Sequence, residues 1–175
     1  NVISITDGQI YLEHDLFFAG VRPAINVGTS VSRVGGNAQI KAMRKIAGTL
    51  RIAMAQYRAL EAFAQFGSEL DRESQKQLAR GARVVEILKQ PQYRPVPVGS
   101  QVVAIWVGTG GYLDALPVED AKRFVDDFIE HLSARTGVLD AIRDTGELSD
   151  ETEATLKQAV EDFTQAFVRS DAGEG

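Results

Sequence analysis

One apolar stripe with helical spacing runs through the middle of this chain and limits what it can fold into. Its members recur at alternating three- and four-residue steps: Ile40, Met43, Ala47, Leu50, Met54 and Tyr57. That spacing places them on one face of an α-helix. The pattern predicts a helix that starts near Ala38, with Asn37 as its N-cap, and stops at Gly67. At ~1.5 Å per residue such a helix is on the order of 40 Å long, and it needs partners along its length to bury the stripe.

Further helical patterns fill most of the remaining sequence. A second helix is expected to end at about Gln90, where Pro91 stops it. A third follows Pro117, and a short one ends near Gly146. A last helix carries the apolar residues Leu156, Val160, Phe163 and Phe167. Between them, residues 101–107 are apolar on both faces and strongly β-branched, which predicts a buried strand that returns to the bundle.

The start of the chain follows a different pattern, with short β-branched runs and many turn residues. Residues 2–12 predict two short strands joined by a tight turn at Asp7 and Gly8. Residues 20–36 predict a long loop or extended segment. The predicted fold class is therefore mixed, with a strand-rich start followed by a mainly α-helical bundle that contains one returning strand.

Composition and charge exclude several classes of function. The net charge is −5, with 13 basic and 8 acidic residues in positions 1–113 and 6 basic and 16 acidic residues in positions 114–175. No dense basic stripe alternates with aromatic residues, so we expect no binding to nucleic acid. Cysteine is absent, and His14 and His131 lie far apart, so we expect neither a disulfide nor a metal site. No apolar stretch approaches the length of a membrane span.

From its N-terminus, we expect this sequence to be a piece of a longer polypeptide. Residues 1–4, Asn-Val-Ile-Ser, contain neither an initiator methionine nor the basic segment and cleavage site of a signal peptide. The chain also lacks a Gly-x-x-x-x-Gly-Lys-Ser/Thr motif, the loop that cradles nucleotide phosphates. We therefore expect no ATP hydrolysis by this chain alone.

Arg33 is the single charged residue in a run of small and β-branched residues at positions 23–36. Its guanidinium offers a rigid fork of donors that fits a phosphate or a carboxylate. From the residues alone, an anion contact and a surface salt bridge explain it equally well. The neighbouring Ser30 and Ser32 are expected to hold the loop through side-chain to backbone hydrogen bonds.

Several motifs, in order along the chain, resemble the α subunit of F-type ATP synthases. They are Pro23-Ala24-Ile25-Asn26 with Ser30-Val31-Ser32-Arg33, residues 2–10, residues 50–71, Leu88-Lys89-Gln90 and Gly111-Tyr112-Leu113. The Ala-, Val- and Arg-rich composition and the acidic tail are similar to those of bacterial, actinobacterial members.

This resemblance also implies a division into domains. Residues 1–38 would be the C-terminal strands and loops of a RecA-like α/β nucleotide-binding domain. Residues 39–175 would be the C-terminal helical domain, with the strand near residues 101–107 and a flexible polar tail at residues 170–175.

The resemblance implies roles for seven residues. Arg33 would be an arginine finger that reaches the catalytic site of the adjacent β subunit and stabilises charge on the transferred γ-phosphoryl. Ser4, at a strand end, would donate to a phosphate in the same site. The adenine pocket of the α subunit's own, non-catalytic site would be lined by Phe17, Arg22, Pro23, Gln90 and Gln92. The ligand would be ATP or ADP with Mg²⁺, whose phosphate loop and Mg²⁺ ligands lie outside this chain.

The complex implied is a rotary proton-translocating F1Fo ATP synthase, in which this chain would be regulatory and non-catalytic. Its partners would be the β subunits of an alternating α3β3 ring, the central γ shaft, and the δ and b subunits of the peripheral stalk. The location implied is peripheral, on the cytoplasmic face of the bacterial plasma membrane, with membrane contact only through the Fo sector. Two alternatives stay open: the B subunit of a V- or A-type ATPase, and a non-enzymatic helical adaptor module that uses Arg33 as a surface anchor.

Overall fold

The computed structural model describes residues 6–65 and 69–172, with side chains as far as Val168. Within these residues the order of elements is β1 (Gly8–Gln9), α1 (His14–Phe18), β2 (Val31–Ser32), α2 (Gly35–Ala38), α3 (Lys41–Gln65), α4 (Arg72–Leu88), α5 (Val98–Gly110), α6 (Ala121–Arg135), α7 (Val138–Thr145) and α8 (Asp150–Ala172). Helices α3 to α8 form a bundle, and the elements before them lie against its side. Across the described ranges, no helix combines the length and apolar character needed to cross a bilayer.

Helix α5 is the centre of the bundle, with α3, α4, α6 and α7 packed around it. Val102, Val103 and Val107 are fully buried, and Trp106, the only tryptophan in the sequence, is 8% exposed. Each large apolar side chain that is fully buried contributes about 1.5–3 kcal/mol, so this helix is a main source of the bundle's stability. Gly111 ends it in the left-handed conformation, at a φ of 85°.

The strand predicted at residues 101–107 was wrong, because this segment is the middle of α5. A strand buried on both faces and a helix buried on all sides are both apolar throughout, so periodicity does not separate them. The β-branched residues favour a strand, but packing among four neighbouring helices overrides that preference. The predicted fold class, with short strands at the start followed by a mainly α-helical bundle, is confirmed without the returning strand.

The long helix predicted from the apolar stripe is α3. It begins at Lys41, later than expected, since residues 35–38 form the separate short helix α2, so Asn37 is not its N-cap. Its predicted stop, Gly67, lies outside the described residues. Helix α4 has an N-cap of the usual kind in Asp71, whose carboxylate accepts the N–H of Ser74 at 2.9 Å. Hydrogen bonds from Ser74 lower the pKa of Asp71.

Aromatic side chains join α6 to α8. Phe124 lies 5.2 Å from Phe163 and 5.0 Å from Phe167, and Phe128 lies 5.4 Å from Phe163, measured between ring centroids. Phe124 and Phe128 are fully buried. Helix α8 continues through Ala172, into the segment predicted as a flexible tail, and its last neighbours in sequence lie outside the described residues.

The two short strands near the start of the chain pair with each other across the residues that separate them, and not as a hairpin within residues 2–12. Strands β1 and β2 are antiparallel, with Gly8 opposite Ser32. Gly8 therefore lies in a strand instead of the turn predicted with Asp7. Residues 2–5, most of the first predicted strand, are outside the described range. A Cβ at Gly8 would lie 2.0 Å from the carbonyl oxygen of Val31, so the close approach of the strands requires glycine.

Two helical glycines should respond in opposite ways to alanine. A Cβ at Gly81 of α4 would lie 2.4–2.5 Å from the Cδ2, Cβ and Cγ atoms of Tyr57 on α3, whereas Gly48 of α3 has nothing within 4 Å. We expect Gly81→Ala to lower the free energy of unfolding by about 1–3 kcal/mol through overpacking. Gly48→Ala should raise it by roughly 0.5–1 kcal/mol through helix propensity. Urea unfolding followed by Trp106 fluorescence measures both, and changes of the same sign would contradict the packing described.

Candidate functional site

The loop that carries Arg33 is held by hydrogen bonds from its own serines. The Ser30 hydroxyl donates to the carbonyl oxygen of Asn26 at 2.5 Å. The Ser32 hydroxyl oxygen accepts the backbone N–H of Gly35 at 2.7 Å. The prediction that both serines fix the loop through side-chain to backbone bonds is therefore confirmed.

Arg33 itself comes directly after β2. Its backbone N–H donates to the carbonyl oxygen of Asp7 at 2.8 Å, which fixes the direction in which the chain leaves the strand. The residue is exposed. Ser4, predicted to act in the same catalytic site, lies outside the described residues.

A hollow of about 760 Å³ forms where the N-terminal segment meets the connection between α4 and α5. Its lining residues are Leu12, Glu13, His14, Phe17, Arg22, Pro23, Ala24, Pro91 and Gln92. Phe17, Arg22, Pro23 and Gln92 are four of the five residues predicted to line a nucleotide pocket, and the fold brings them to one place. The volume lies within the range of small-molecule and cofactor sites.

The two sides of this hollow are joined at Arg22. Its guanidinium carbon lies 4.3 Å from the centroid of the Phe17 ring, a cation–π contact. Its carbonyl oxygen accepts the backbone N–H of Gln90 at 2.8 Å. The Gln90 side chain, however, donates to the carbonyl oxygen of Arg94 at 2.7 Å and lines a separate hollow between α4, α5 and α6. Gln90 is therefore the one predicted pocket residue whose side chain lies elsewhere.

Glu13 and His14 line the hollow although sequence reasoning gave them no role there. His14 begins α1 three positions before Phe17, so helical spacing places the two residues on one face. This spacing is the sequence feature from which a role for His14 in the hollow could have been predicted. The Glu13 carboxylate accepts a hydrogen bond from the Asn26 amide at 2.5 Å. No local sequence pattern indicates that contact, because it depends on how the loop that contains Asn26 folds back against Glu13.

These groups suit a ligand with a flat ring and a negative charge. The Phe17 ring, 46% exposed, and the Pro23 ring offer apolar faces to a planar group. The Gln92 amide can both donate and accept along the edge of such a ring. Arg22 supplies a fixed positive charge beside it. Among the residues that the structure describes, no group of three or more His, Cys, Asp or Glu side chains is placed to hold a metal ion.

Two protein-family models match this chain. The model for the ATP synthase alpha/beta chain, C-terminal domain, matches residues 39–163. The model for the nucleotide-binding domain of the ATP synthase alpha/beta family matches residues 1–32.

Individual relatives are similar over nearly the whole chain. ATP synthase subunit alpha of Acidothermus cellulolyticus and that of Frankia casuarinae are each 62% identical over 172 residues. The subunit alpha of Mycolicibacterium vanbaalenii is 60% identical over 172 residues. These matches cover 98% of this chain but 31% of each relative, so the chain spans just under a third of the length of the relatives it matches.

Proposed function

This chain belongs to the ATP synthase alpha/beta family, and we propose that it acts as the regulatory, non-catalytic α part of a rotary proton-translocating F1Fo ATP synthase. The resemblance to the α subunit predicted from its motifs is confirmed by relatives that carry that name. Those relatives are named alpha subunits rather than V- or A-type B subunits, which favours the F-type α subunit over that alternative. No observation favours a stand-alone adaptor.

The observation that carries the proposal is the hollow shared by two distant parts of the chain. Phe17, Arg22 and Pro23 come from the segment before β2, and Gln92 comes from the connection after α4. We propose that they hold the adenine of ATP or ADP in the chain's own nucleotide site, with Gln90 supporting Arg22 through its backbone rather than contacting the base. The phosphates and Mg²⁺ would be held by residues outside this chain, since its sequence has no phosphate loop.

The second part of the proposal is that Arg33 works in a neighbouring subunit. The loop around it is internally bonded and the residue is exposed, which supports contact with another chain. In phosphoryl transfer, negative charge spreads over the oxygens of the transferred group, and a guanidinium supplied in trans stabilises it. We propose that Arg33, with Ser4, serves the catalytic site of an adjacent β subunit in this way.

The proposed assembly follows from the family. The chain would alternate with β subunits in an α3β3 ring around a γ shaft and contact δ and b of a peripheral stalk, on the cytoplasmic side of the membrane. We place the boundary between its two domains at residues 38 and 39. The family models support this boundary, since one ends at residue 32 and the other begins at residue 39.

Phe17→Ala tests the nucleotide hollow. Stacking of a base on an aromatic ring is worth about 1–3 kcal/mol, so in a full-length α chain the variant should bind nucleotide at the non-catalytic site roughly 5- to 150-fold more weakly. Phe18→Ala is the matched control, because Phe18 is the next residue, is 80% exposed and does not line the hollow. Equilibrium titration with a fluorescent ATP analogue measures both. Equal affinities for the two variants would contradict the proposed site.

A further inference from the structure

Asn26 organises the loop that leads to Arg33. Its side-chain oxygen accepts the backbone N–H groups of Gly28 at 2.9 Å and Thr29 at 3.1 Å, which forms an Asx turn. Its carbonyl oxygen accepts both the backbone N–H of Ser30 at 3.0 Å and the Ser30 hydroxyl at 2.5 Å. Four hydrogen bonds therefore converge on one residue, and they set the path of the chain into β2.

The donor groups of Asn26 bond to the segment just before α1, part of which lines the nucleotide hollow. Its backbone N–H donates to the carbonyl oxygen of Tyr11 at 2.9 Å. Its amide nitrogen donates to the carboxylate of Glu13 at 2.5 Å. Glu13 is itself fixed, because its backbone N–H donates to the carbonyl oxygen of Ala24 at 2.9 Å, and it forms part of the hollow's wall.

We propose that Asn26 is a positioning residue for Arg33, and that its amide ties the Arg33 loop to the wall of the nucleotide hollow through Glu13. This inference rests on the proposed function, since it requires Arg33 to act in a neighbouring catalytic site. An arginine on an exposed loop stabilises a transition state only if its backbone is held, and a misplacement of about 1 Å can cost roughly 100-fold in rate. Asn26 supplies that restraint without touching the reacting groups.

Asn26→Ala removes the Asx turn and the tie to Glu13 together. In a full-length α chain assembled with β and γ subunits, we expect ATP turnover to fall about 10- to 100-fold, with assembly and nucleotide affinity at the β site unchanged. If Asn26 acts through Arg33, the same change in an Arg33→Ala background should cost nothing more. An equal further loss in that background, or no loss in the single variant, would overturn the inference.

A donor–acceptor exchange tests the tie to Glu13 separately. Asn26→Asp keeps an oxygen for the N–H groups of Gly28 and Thr29 but removes the donor and sets two carboxylates against each other, so turnover should fall. Adding Glu13→Gln supplies a new amide donor on the opposite side, and we expect it to restore turnover to within about threefold of the Glu13→Gln variant. If turnover is not restored, the proposed role of the hydrogen bond between Asn26 and Glu13 is overturned.

Failure of the proposed function and failure of this inference alone give different results. If Arg33→Ala leaves turnover unchanged, the proposed arginine finger is wrong and Asn26 has nothing to position. If Arg33→Ala abolishes turnover while Asn26→Ala does not affect it, only the role of Asn26 is wrong.

Discussion

Replacing Phe128 with alanine is expected to lower the free energy of unfolding by about 3–5 kcal/mol, as for other buried phenylalanines. Phe128 is fully buried on α6, packed beside Phe124 and against Phe163 of α8. Truncation would remove its apolar surface from the core and leave a cavity walled by aromatic rings, which are too rigid to close over it. Since a domain is stable by only about 5–15 kcal/mol, this single change removes a large part of the total.

Phe63→Ala is the matched control for that experiment. Phe63 lies on α3 but is 60% exposed, so the same chemical change should alter stability by no more than about 0.5 kcal/mol. Urea unfolding of both variants is followed by the fluorescence of Trp106, which is buried in α5 and reports the integrity of the bundle. Equal losses in the two variants would mean that the cluster between α6 and α8 does not pack as described.

The long helices α3, α6 and α8, each with one polar face, were predicted from the sequence. Helix α5, which has no polar face, was not. The stripe of α3 and the apolar faces of α6 and α8 each have a helical period, because one side of each helix meets water. Helix α5 is surrounded, so its residues 101–107 are apolar in every direction and their period is lost. Which neighbours enclose a segment is decided by tertiary packing, and that information is not local.

The difference between local contacts and contacts across the fold also explains which parts of the candidate site could be predicted. The bonds of Ser30 and Ser32 join residues three or four positions apart, and short polar residues in a loop indicate them. The tie between Glu13 and Asn26 and the rotation of Gln90 away from the hollow depend on contacts across the fold. The motif resemblance supplied residue types for the site, but the orientation of each side chain came only with the structure.

Replacing Arg33 with alanine is expected to have the largest functional effect. In a full-length α chain assembled with β and γ subunits, we expect ATP turnover to fall by about 10³- to 10⁵-fold, the range for an arginine supplied in trans to a phosphoryl-transfer site. The loss should fall on the chemical step, because in the proposed role the guanidinium would stabilise charge that develops in the transition state rather than charge on the bound nucleotide.

Two further variants separate this role from a general loss of charge. Arg33→Lys keeps the positive charge but loses the planar fork of donors, so turnover should fall less than in Arg33→Ala yet remain well below the unmodified chain. Arg72→Ala removes an exposed arginine at the start of α4 that does not line the hollow, and it should leave turnover unchanged. A similar loss in Arg72→Ala and Arg33→Ala would point to a non-specific charge effect.

The measurement that tests the central claim most directly is steady-state ATP hydrolysis by the Arg33→Ala complex, with nucleotide binding at the β site followed in parallel. The proposed function predicts that turnover falls by orders of magnitude while nucleotide still binds. Turnover within a few-fold of the unmodified complex would contradict it, and the hydrogen-bonded loop around Arg33 would then serve only the structure of this chain.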